Sequence, residues 1–300
     1  MPKHFLRIFD FPRDVARQVL LRAYAMKQGD MCSHSLAGRT VTLLFEKAST
    51  RTRISFEVAV THLGGRTVFV TPMESQLGRN EPLRDTARVL SRYTDCLVVR
   101  TFEQDRIVEL AKYARVPVVN ALTDLHHPCQ VMSDMLTIYE RTPKLEELTV
   151  AWVGDGNNMC HCFLAAAAWF GFTLRVATPV EHAPEPAIVE EAKAKGARLI
   201  FTSDPLEAVA GAAYINTDCW VSMGQEDEHD VRIATFVPYQ VNAALLAKAA
   251  MGAKIMHCLP AYRGQEITDE VMEGPASIIW DQAENRLHMQ KAILEYLFTI

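Results

Sequence analysis

The sequence predicts an α/β fold built of two doubly wound parallel-sheet domains with an interdomain cleft. Three observations carry that expectation. Short apolar, β-rich runs alternate with helical segments along most of the chain, and such alternation implies parallel sheets covered by helices on both faces. The series breaks at Arg141-Thr142-Pro143-Lys144, because proline stops a helix and the residue before it resists the α region. Finally, polar residues of unusual kinds gather just after the strands, where ligands bind in sheets of this class. Domains are therefore expected at 1–142 and 143–283, with the cleft between the strand tips of the two sheets.

In the first half the expected strands are 41–45, 67–70, 96–100 and 116–120, and the helices 49–63, 83–93, 103–114 and 128–141. In the second half strands are expected at 148–153, 173–178, 198–202, 213–216 and 254–258. The helices there are 158–170, 186–195, 204–209, 238–250 and a C-terminal one over 284–296. Val41-Thr42-Leu43-Leu44-Phe45 is a short buried run, and Gly64-Gly65 closes the helix that follows it.

At 300 residues the chain is long enough for both domains to bury a core. Its 49% hydrophobic and 22% charged residues are ordinary for a soluble globular protein. A net charge of −5 gives no reason to expect nucleic acid as a partner. No apolar run reaches the ~18 residues of a membrane span and no secretory leader is evident, so no membrane and a cytoplasmic location are expected. The seven cysteines include no CxxC pair. Cys160-His161-Cys162 lies in an expected helix, where immediate neighbours do not share a face, so those residues read as packing and no metal is expected.

The stretch Phe45-Glu46-Lys47-Ala48-Ser49-Thr50-Arg51-Thr52-Arg53 turns a strand into a helix whose first residues are Ser, Thr, Arg and Thr. Free backbone N–H groups and the helix dipole favour an anion there. Hydroxyls and a guanidinium fork add donors suited to phosphate. The same residues also fit an ordinary capped helix, with Ser49 or Thr50 as the N-cap. Arg53 faces elsewhere and is placed to pair with Glu57 at i+4.

Arg100 ends the apolar run Leu97-Val98-Val99, as a second anion ligand or as a surface ion-pair partner. In His127-Pro128-Cys129-Gln130, Pro128 suits the first helical position and leaves His127 near the N-cap. His127, with Gln130 one turn on, can donate to a carbonyl oxygen above the helix, or serve only as a cap. His126 is the less favoured of the pair.

Gly154-Asp155-Gly156-Asn157-Asn158-Met159 superficially matches a dinucleotide fingerprint, but Met159 replaces the third glycine and the next strand ends without an acidic residue. Both departures argue against a dinucleotide. Asn158 suits a polar small molecule or a cap. The segment from Asp218 to Gly224 offers a carboxylate for an ammonium group, and Ser222 with the Met223 backbone for a carboxylate. That combination suits an amino acid, though an ordinary Asx-type loop has the same composition. In His257-Cys258-Leu259-Pro260, adjacent strand residues point to opposite faces, so His257 is poorly placed to activate Cys258. The thiol reads as a ligand contact or a packing group.

Taken in order, the stretch 45–57, His-Pro-Cys-Gln (127–130), Asp218 with Ser222-Met223-Gly224, and His-Cys-Leu-Pro (257–260) resemble the ornithine carbamoyltransferases of the aspartate/ornithine carbamoyltransferase superfamily. The resemblance implies a carbamoyl phosphate domain, an ornithine domain, a homotrimer with active sites at subunit interfaces, and a C-terminal helix (284–300) packing back on the first domain. It implies that Ser49, Thr50, Arg51, Thr52, Arg100, His127, Gln130 and Arg286 hold carbamoyl phosphate, with Gln76 reaching the neighbouring subunit's site. It further implies that Asn158, Asp218, Ser222 and Met223 hold L-ornithine, while Cys258 and Leu259 line the junction. Arg51, Arg100, His127 and Cys258 are the expected catalytic group. The loop Gly78-Arg79-Asn80 lacks the lysine of the aspartate-specific relatives.

The implied reaction is attack of the neutral δ-amine of ornithine on the carbamoyl carbon, giving citrulline for arginine biosynthesis or, in reverse use, arginine catabolism. It requires no cofactor. Rival expectations are a carbamoyltransferase for putrescine or an acylated ornithine, and a non-catalytic carbamoyl phosphate sensor. The Ser-Met-Gly carboxylate site argues against the first two, and the filled catalytic positions against the third.

Overall fold

A computed structural model of the chain describes residues 3–30, 33–71, 81–221 and 226–299. The chain divides into two compact units, Met1–Leu136 with Asn285–Ile300, and Thr137–Glu284. The first contains helix α1 (Arg13–Lys27), strand β1 (Thr40–Phe45), α2 (Thr50–His62), β2 (Arg66–Val70), α3 (Leu83–Leu90), β3 (Cys96–Arg100), α4 (Gln104–Tyr113) and β4 (Val118–Leu122). Helix α5 (Pro128–Tyr139) then carries the chain into the second unit.

The first sheet has the order β2-β1-β3-β4, with every pairing parallel. Residues 41–45 of β1 are all buried, which is why this strand reads as an unbroken apolar run rather than an alternating one. Leu44, Leu97, Val99, Ile107, Leu110 and Val118 form one core cluster beneath α3 and α4. Phe5 pairs in parallel with Val119 and lies along the outer edge of β4, so that edge does not present an open ladder.

The second unit contains β5 (Thr149–Val153), α6 (Asn158–Phe170), β6 (Thr173–Ala177), α7 (Pro186–Ala194), β7 (Arg198–Thr202), α8 (Pro205–Val209) and β8 (Tyr214–Thr217). It continues through α9 (His229–Phe236), α10 (Ala243–Leu246), β9 (Lys254–His257) and α11 (Asp269–Glu273) into α12 (Ile279–Phe298). Its sheet runs β7-β6-β5-β8-β9, again all parallel. Helix α6 is apolar on almost every side and correspondingly buried; Phe163 meets Trp152 of β5 at a tilt of 43°, with ring centroids 5.6 Å apart. Truncating such a ring costs about 3–5 kcal/mol.

Several expected elements differ from the structure, and four of the differences have a clear physical reason. Helix α1 is an addition, and its buried Ala16, Val19, Leu20, Ala23 and Met26 recur at helical spacing. Strand β4 starts at Val118 rather than 116, since Pro117 has no N–H to give a ladder. The single helix expected over 238–250 is instead a short 3-10 turn (Val237–Tyr239) and the brief α10. Val241 pairs with Ile267 between them, and the Asn242 side chain caps the restart by accepting the Leu245 N–H at 3.0 Å. Helix α12 begins at Ile279, before the expected 284.

The C-terminal part of α12 packs on the first unit, as the family resemblance implied. Arg22 holds Glu295 at 2.6 Å, Lys27 donates to Asn285 at 2.7 Å, and Phe11 meets Tyr296 edge-on with centroids 5.0 Å apart. No helix among the described residues is long and apolar enough to cross a membrane.

Candidate active site

Each sheet has one topological switch point, where connections leave in opposite directions and strand tips open a binding crevice. In the first unit it lies between β1 and β3. Phe45 is level with Arg100 across that pair, and the Glu46 N–H donates to the Arg100 carbonyl at 2.8 Å. The β1 turn and the Arg100 side chain thus start from the same place.

Ser49 caps α2: its extended backbone leaves the helix, and its hydroxyl accepts the Thr52 N–H at 3.3 Å. Thr50 and Arg51 are exposed in the first turn, whereas Thr52 is buried. Arg53 points away, bound to Glu57 at 2.9 Å and lying over the Phe69 ring. The turn itself is braced from behind. Glu46 binds Arg106 at 2.6 Å and also takes the Thr101 hydroxyl, while the buried Lys47 pairs with Asp124 and sits over Phe102. Sequence reasoning gave Glu46 and Lys47 no role, because their partners lie far along the chain.

Arg286 of α12 ties this turn to α5. Its Nη2 donates to the Thr52 hydroxyl at 2.7 Å and its Nη1 to Gln130 Oε1. Gln130 in turn donates to Asp134 Oδ1 at 2.8 Å. Asp134 therefore fixes which way the Gln130 amide faces, and its i, i+4 spacing from Gln130 on the helix is the sequence signal for it. Cys129 is a packing residue, its thiol donating to the Asn120 carbonyl.

His127 is buried immediately before α5. Burial, and then the positive charges of Arg286 and Arg100, hold its imidazole well below the ordinary histidine value. It is therefore a neutral donor in a basin of cations. Gln76 lies outside the described residues.

In the second unit the switch point falls between β5 and β8. Here Asn157, not Asn158, caps α6: its Oδ1 accepts the Met159 and Cys160 N–H groups. Its Nδ2 donates to Asp218 Oδ2 at 2.9 Å. Asn158 is the first helical residue and is half-buried. Asp218 Oδ1 accepts both the Cys219 N–H at 2.8 Å and the Cys258 thiol at 3.0 Å. Asp218 and Cys258 are thus one hydrogen-bonded pair, and Leu259 follows at once. Ser222 and Met223 lie outside the described residues.

Gly156 explains the false fingerprint. A Cβ there would sit 2.4 Å from Pro184 N and 2.5 Å from the His182 carbonyl, to which Gly156 N–H already donates. The glycine admits a neighbouring chain segment rather than a pyrophosphate. Asp155 beside it is pushed up to about 7 by burial, with Asp218 adding to the effect and the Arg232 guanidinium at 2.5 Å opposing it.

Asp218, His257 and Cys258 bring a carboxylate oxygen, a ring nitrogen and a thiol within 4.8 Å of one another. Both His257 nitrogens are already engaged, with Leu259 N–H and Glu266, so the trio reads as a hydrogen-bonded cluster. Within Cys160-His161-Cys162 the three side chains are buried in α6, and His161 Nε2 accepts the Glu185 N–H at 3.0 Å. A separate apolar cavity of about 420 Å³ lies by the tips of β6 and β7, lined by Val180, Pro184, Val189 and Phe201 among others. It contains none of the expected residues.

Residues 3–140 match the family model described as "Aspartate/ornithine carbamoyltransferase, carbamoyl-P binding domain". Residues 146–297 match its companion, the "Asp/Orn binding domain". The ornithine carbamoyltransferase of Nitratidesulfovibrio vulgaris is 60% identical over 299 residues, covering all of both chains. That of Oleidesulfovibrio alaskensis is 58% identical over 99% of each. Among solved structures, the Pyrococcus furiosus enzyme is 42% identical with a TM-score of 0.92, covering 98% of this chain and 96% of that one. The anabolic enzyme of Campylobacter jejuni is 38% identical with a TM-score of 0.93, covering 98% of each. With both halves matched by paired domain models and full-length relatives this similar, the chain belongs to the aspartate/ornithine carbamoyltransferase family.

Proposed function

We propose that this chain transfers the carbamoyl group of carbamoyl phosphate to the δ-amine of L-ornithine, giving L-citrulline and phosphate. The observation that carries the reading is Arg286 joining Thr52 and Gln130 beside Arg100 and the neutral His127. That basin offers fixed cations for a phosphate and uncharged donors for a carbonyl. Full-length relatives named ornithine carbamoyltransferase supply the acceptor's identity.

In this reading carbamoyl phosphate occupies the first unit, held by Ser49, Thr50, Arg51, Thr52, Arg100, His127, Gln130 and Arg286. Ornithine belongs to the second, with Asn158, Asp218, Ser222 and Met223, and Cys258 and Leu259 border the reacting atoms. The amine nitrogen's lone pair forms the new C–N bond. The C–O bond to phosphate breaks, phosphate leaves with that electron pair, and the amine gives up a proton to solvent. Arg51, Arg100 and His127 stabilise charge on the carbonyl oxygen and on the departing phosphate, and holding the two substrates in register supplies much of the remaining acceleration. Asp218 and the Cys258 thiol orient the amine. A homotrimer in which Gln76 completes a neighbour's site, a cytoplasmic location and a role in arginine biosynthesis complete the proposal.

The test is to incubate the purified chain with carbamoyl phosphate and a panel of amines. Citrulline formed with ornithine, and little product with putrescine or acetylornithine, is the expected result. Product with another amine and none with ornithine overturns it.

A further inference from the structure

The turn after β9 is held by a buried ionisable pair for which the reaction above has no use. The side chains of His257 and Glu266 are wholly buried, with His257 Nε2 3.0 Å from Glu266 Oε1. The other ring nitrogen, Nδ1, accepts the Leu259 N–H at 2.9 Å. A backbone N–H can only donate, so Nδ1 carries no proton and the ring N–H sits on Nε2, aimed at the carboxylate. Glu266 Oε1 also accepts the Tyr262 N–H at 2.7 Å, and the His257 N–H is bound by Gln282 at 2.8 Å. The His257 ring, the His257 and Leu259 N–H groups and the Tyr262 N–H thereby each have a partner, while Glu266 Oε2 is buried without one among the described residues.

What the pair holds is an unfavourable backbone. Leu259 has φ +61, in the left-handed region, which costs a residue with a Cβ about 1–2 kcal/mol. Such conformations persist where the surroundings over-determine them, and they cluster at functional sites. Cys258, whose thiol donates to Asp218, is the residue immediately before it. Ile255, Ile267 and Val271, close to the pair in the chain, belong to the apolar core cluster. Burying such polar, ionisable groups carries a desolvation cost that hydrophobic replacements avoid, so stability alone does not account for this pair.

We propose that Glu266 is a positioning residue for the ornithine end of the reaction, acting through His257. The carboxylate selects the Nε2–H tautomer; that tautomer leaves Nδ1 free to accept from Leu259; the accepted bond holds the left-handed turn; and the turn aims the Cys258 thiol at Asp218. Without the acceptor, the ring can take the other tautomer, which sets Nδ1–H against Leu259 N–H. The turn then relaxes to negative φ and the thiol swings from the carboxylate. The inference rests on the ornithine reading only for the identity of the substrate that suffers.

The test uses the full chain with Glu266→Leu and Glu266→Gln, in two arms. In the first, hydrogen–deuterium exchange is followed without substrates. Glu266→Leu should speed exchange at the Leu259 amide about tenfold or more, leaving β5 and β8 protected as in the wild type. In the second, citrulline formation is measured. Glu266→Leu should lower kcat/KM for ornithine about a hundredfold, the scale of a small misplacement of a reacting group, with carbamoyl phosphate binding kept. Glu266→Gln, whose amide oxygen still serves His257 and Tyr262, should recover most of both losses. Should Glu266→Leu not fold, Glu266→Asp withdraws the carboxylate by one methylene and carries the same expectations. Unchanged exchange at Leu259, equal loss toward both substrates, or a Glu266→Gln enzyme as impaired as Glu266→Leu overturns the proposal. Absence of citrulline with the wild type sinks the ornithine reading instead, while the exchange arm still judges the relay.

Discussion

At the switch point of the first sheet the side chains are donors and cations: the Ser49–Thr52 turn, Arg100, neutral His127 and Arg286. At the switch point of the second they centre on an acceptor, Asp218, which takes bonds from Asn157, Cys219 N–H and Cys258. Both sheets are parallel, with strands β1 and β5 inside and later strands added on the other side. Winding places a crevice at the strand tips in each case. In the proposed function the residues at those tips make one crevice an anion site and the other an ammonium site. Fold and chemistry are in this sense separable.

The largest break in that comparison is expected from Arg51→Gln. Arg51 is exposed and forms no ion pair with another described residue, so its loss should leave thermal stability intact. In the proposed reaction it should lower kcat/KM by about a hundredfold to a thousandfold, as for removal of a transition-state donor. Turnover within about tenfold of wild type, ~1.4 kcal/mol, would contradict the assignment. Asp218→Asn should act on the other substrate, raising the ornithine KM about thirtyfold or more, the cost of removing one partner of a buried charge. Citrulline assays at saturating carbamoyl phosphate check it.

The units should also differ in their response to pH. The δ-amine must lose its proton before attack, so kcat/KM for ornithine should rise about tenfold per unit below an amine pKa near ~10.4. His127 stays neutral because its value lies well below the ordinary 6.5. The pH dependence of carbamoyl phosphate binding between about pH 6 and 7 should therefore survive His127→Gln unchanged. A lost inflection would mean that His127 titrates there. The smallest effect is expected from Arg53→Ala, two residues from Arg51 but paired with Glu57 on the surface. It should change stability by at most about 0.5 kcal/mol and leave activity alone.

Much of this was legible in the sequence because it depends on local chemistry. A strand running into Ser-Thr-Arg-Thr announces a helix N-terminus with donors, and the order of strands and helices announces parallel sheets. The i+4 pairing separates Arg53 from Arg51 without a structure. What local reading missed depends on partners distant in the chain. Nothing near residue 46 or 47 names Arg106 or Asp124; Glu266 is only nine residues from His257, but no helix or strand period relates the two. The choice between Asn157 and Asn158 is also tertiary: the two are equivalent in type, and the cap goes to the residue that leaves the helix and meets Asp218. The expected helix over 238–250 failed because good helix formers were interrupted by a bridge from Val241 to Ile267, a contact that helix propensity does not encode.

The central claim is the division of labour between the two switch points. Calorimetric titration of carbamoyl phosphate, without ornithine, into wild type, Arg51→Gln and Asp218→Asn tests it most directly. The account predicts wild-type affinity for Asp218→Asn and affinity at least about tenfold weaker for Arg51→Gln, since an ionic hydrogen bond to phosphate is lost. Weakened binding in Asp218→Asn with Arg51→Gln unaffected would contradict it.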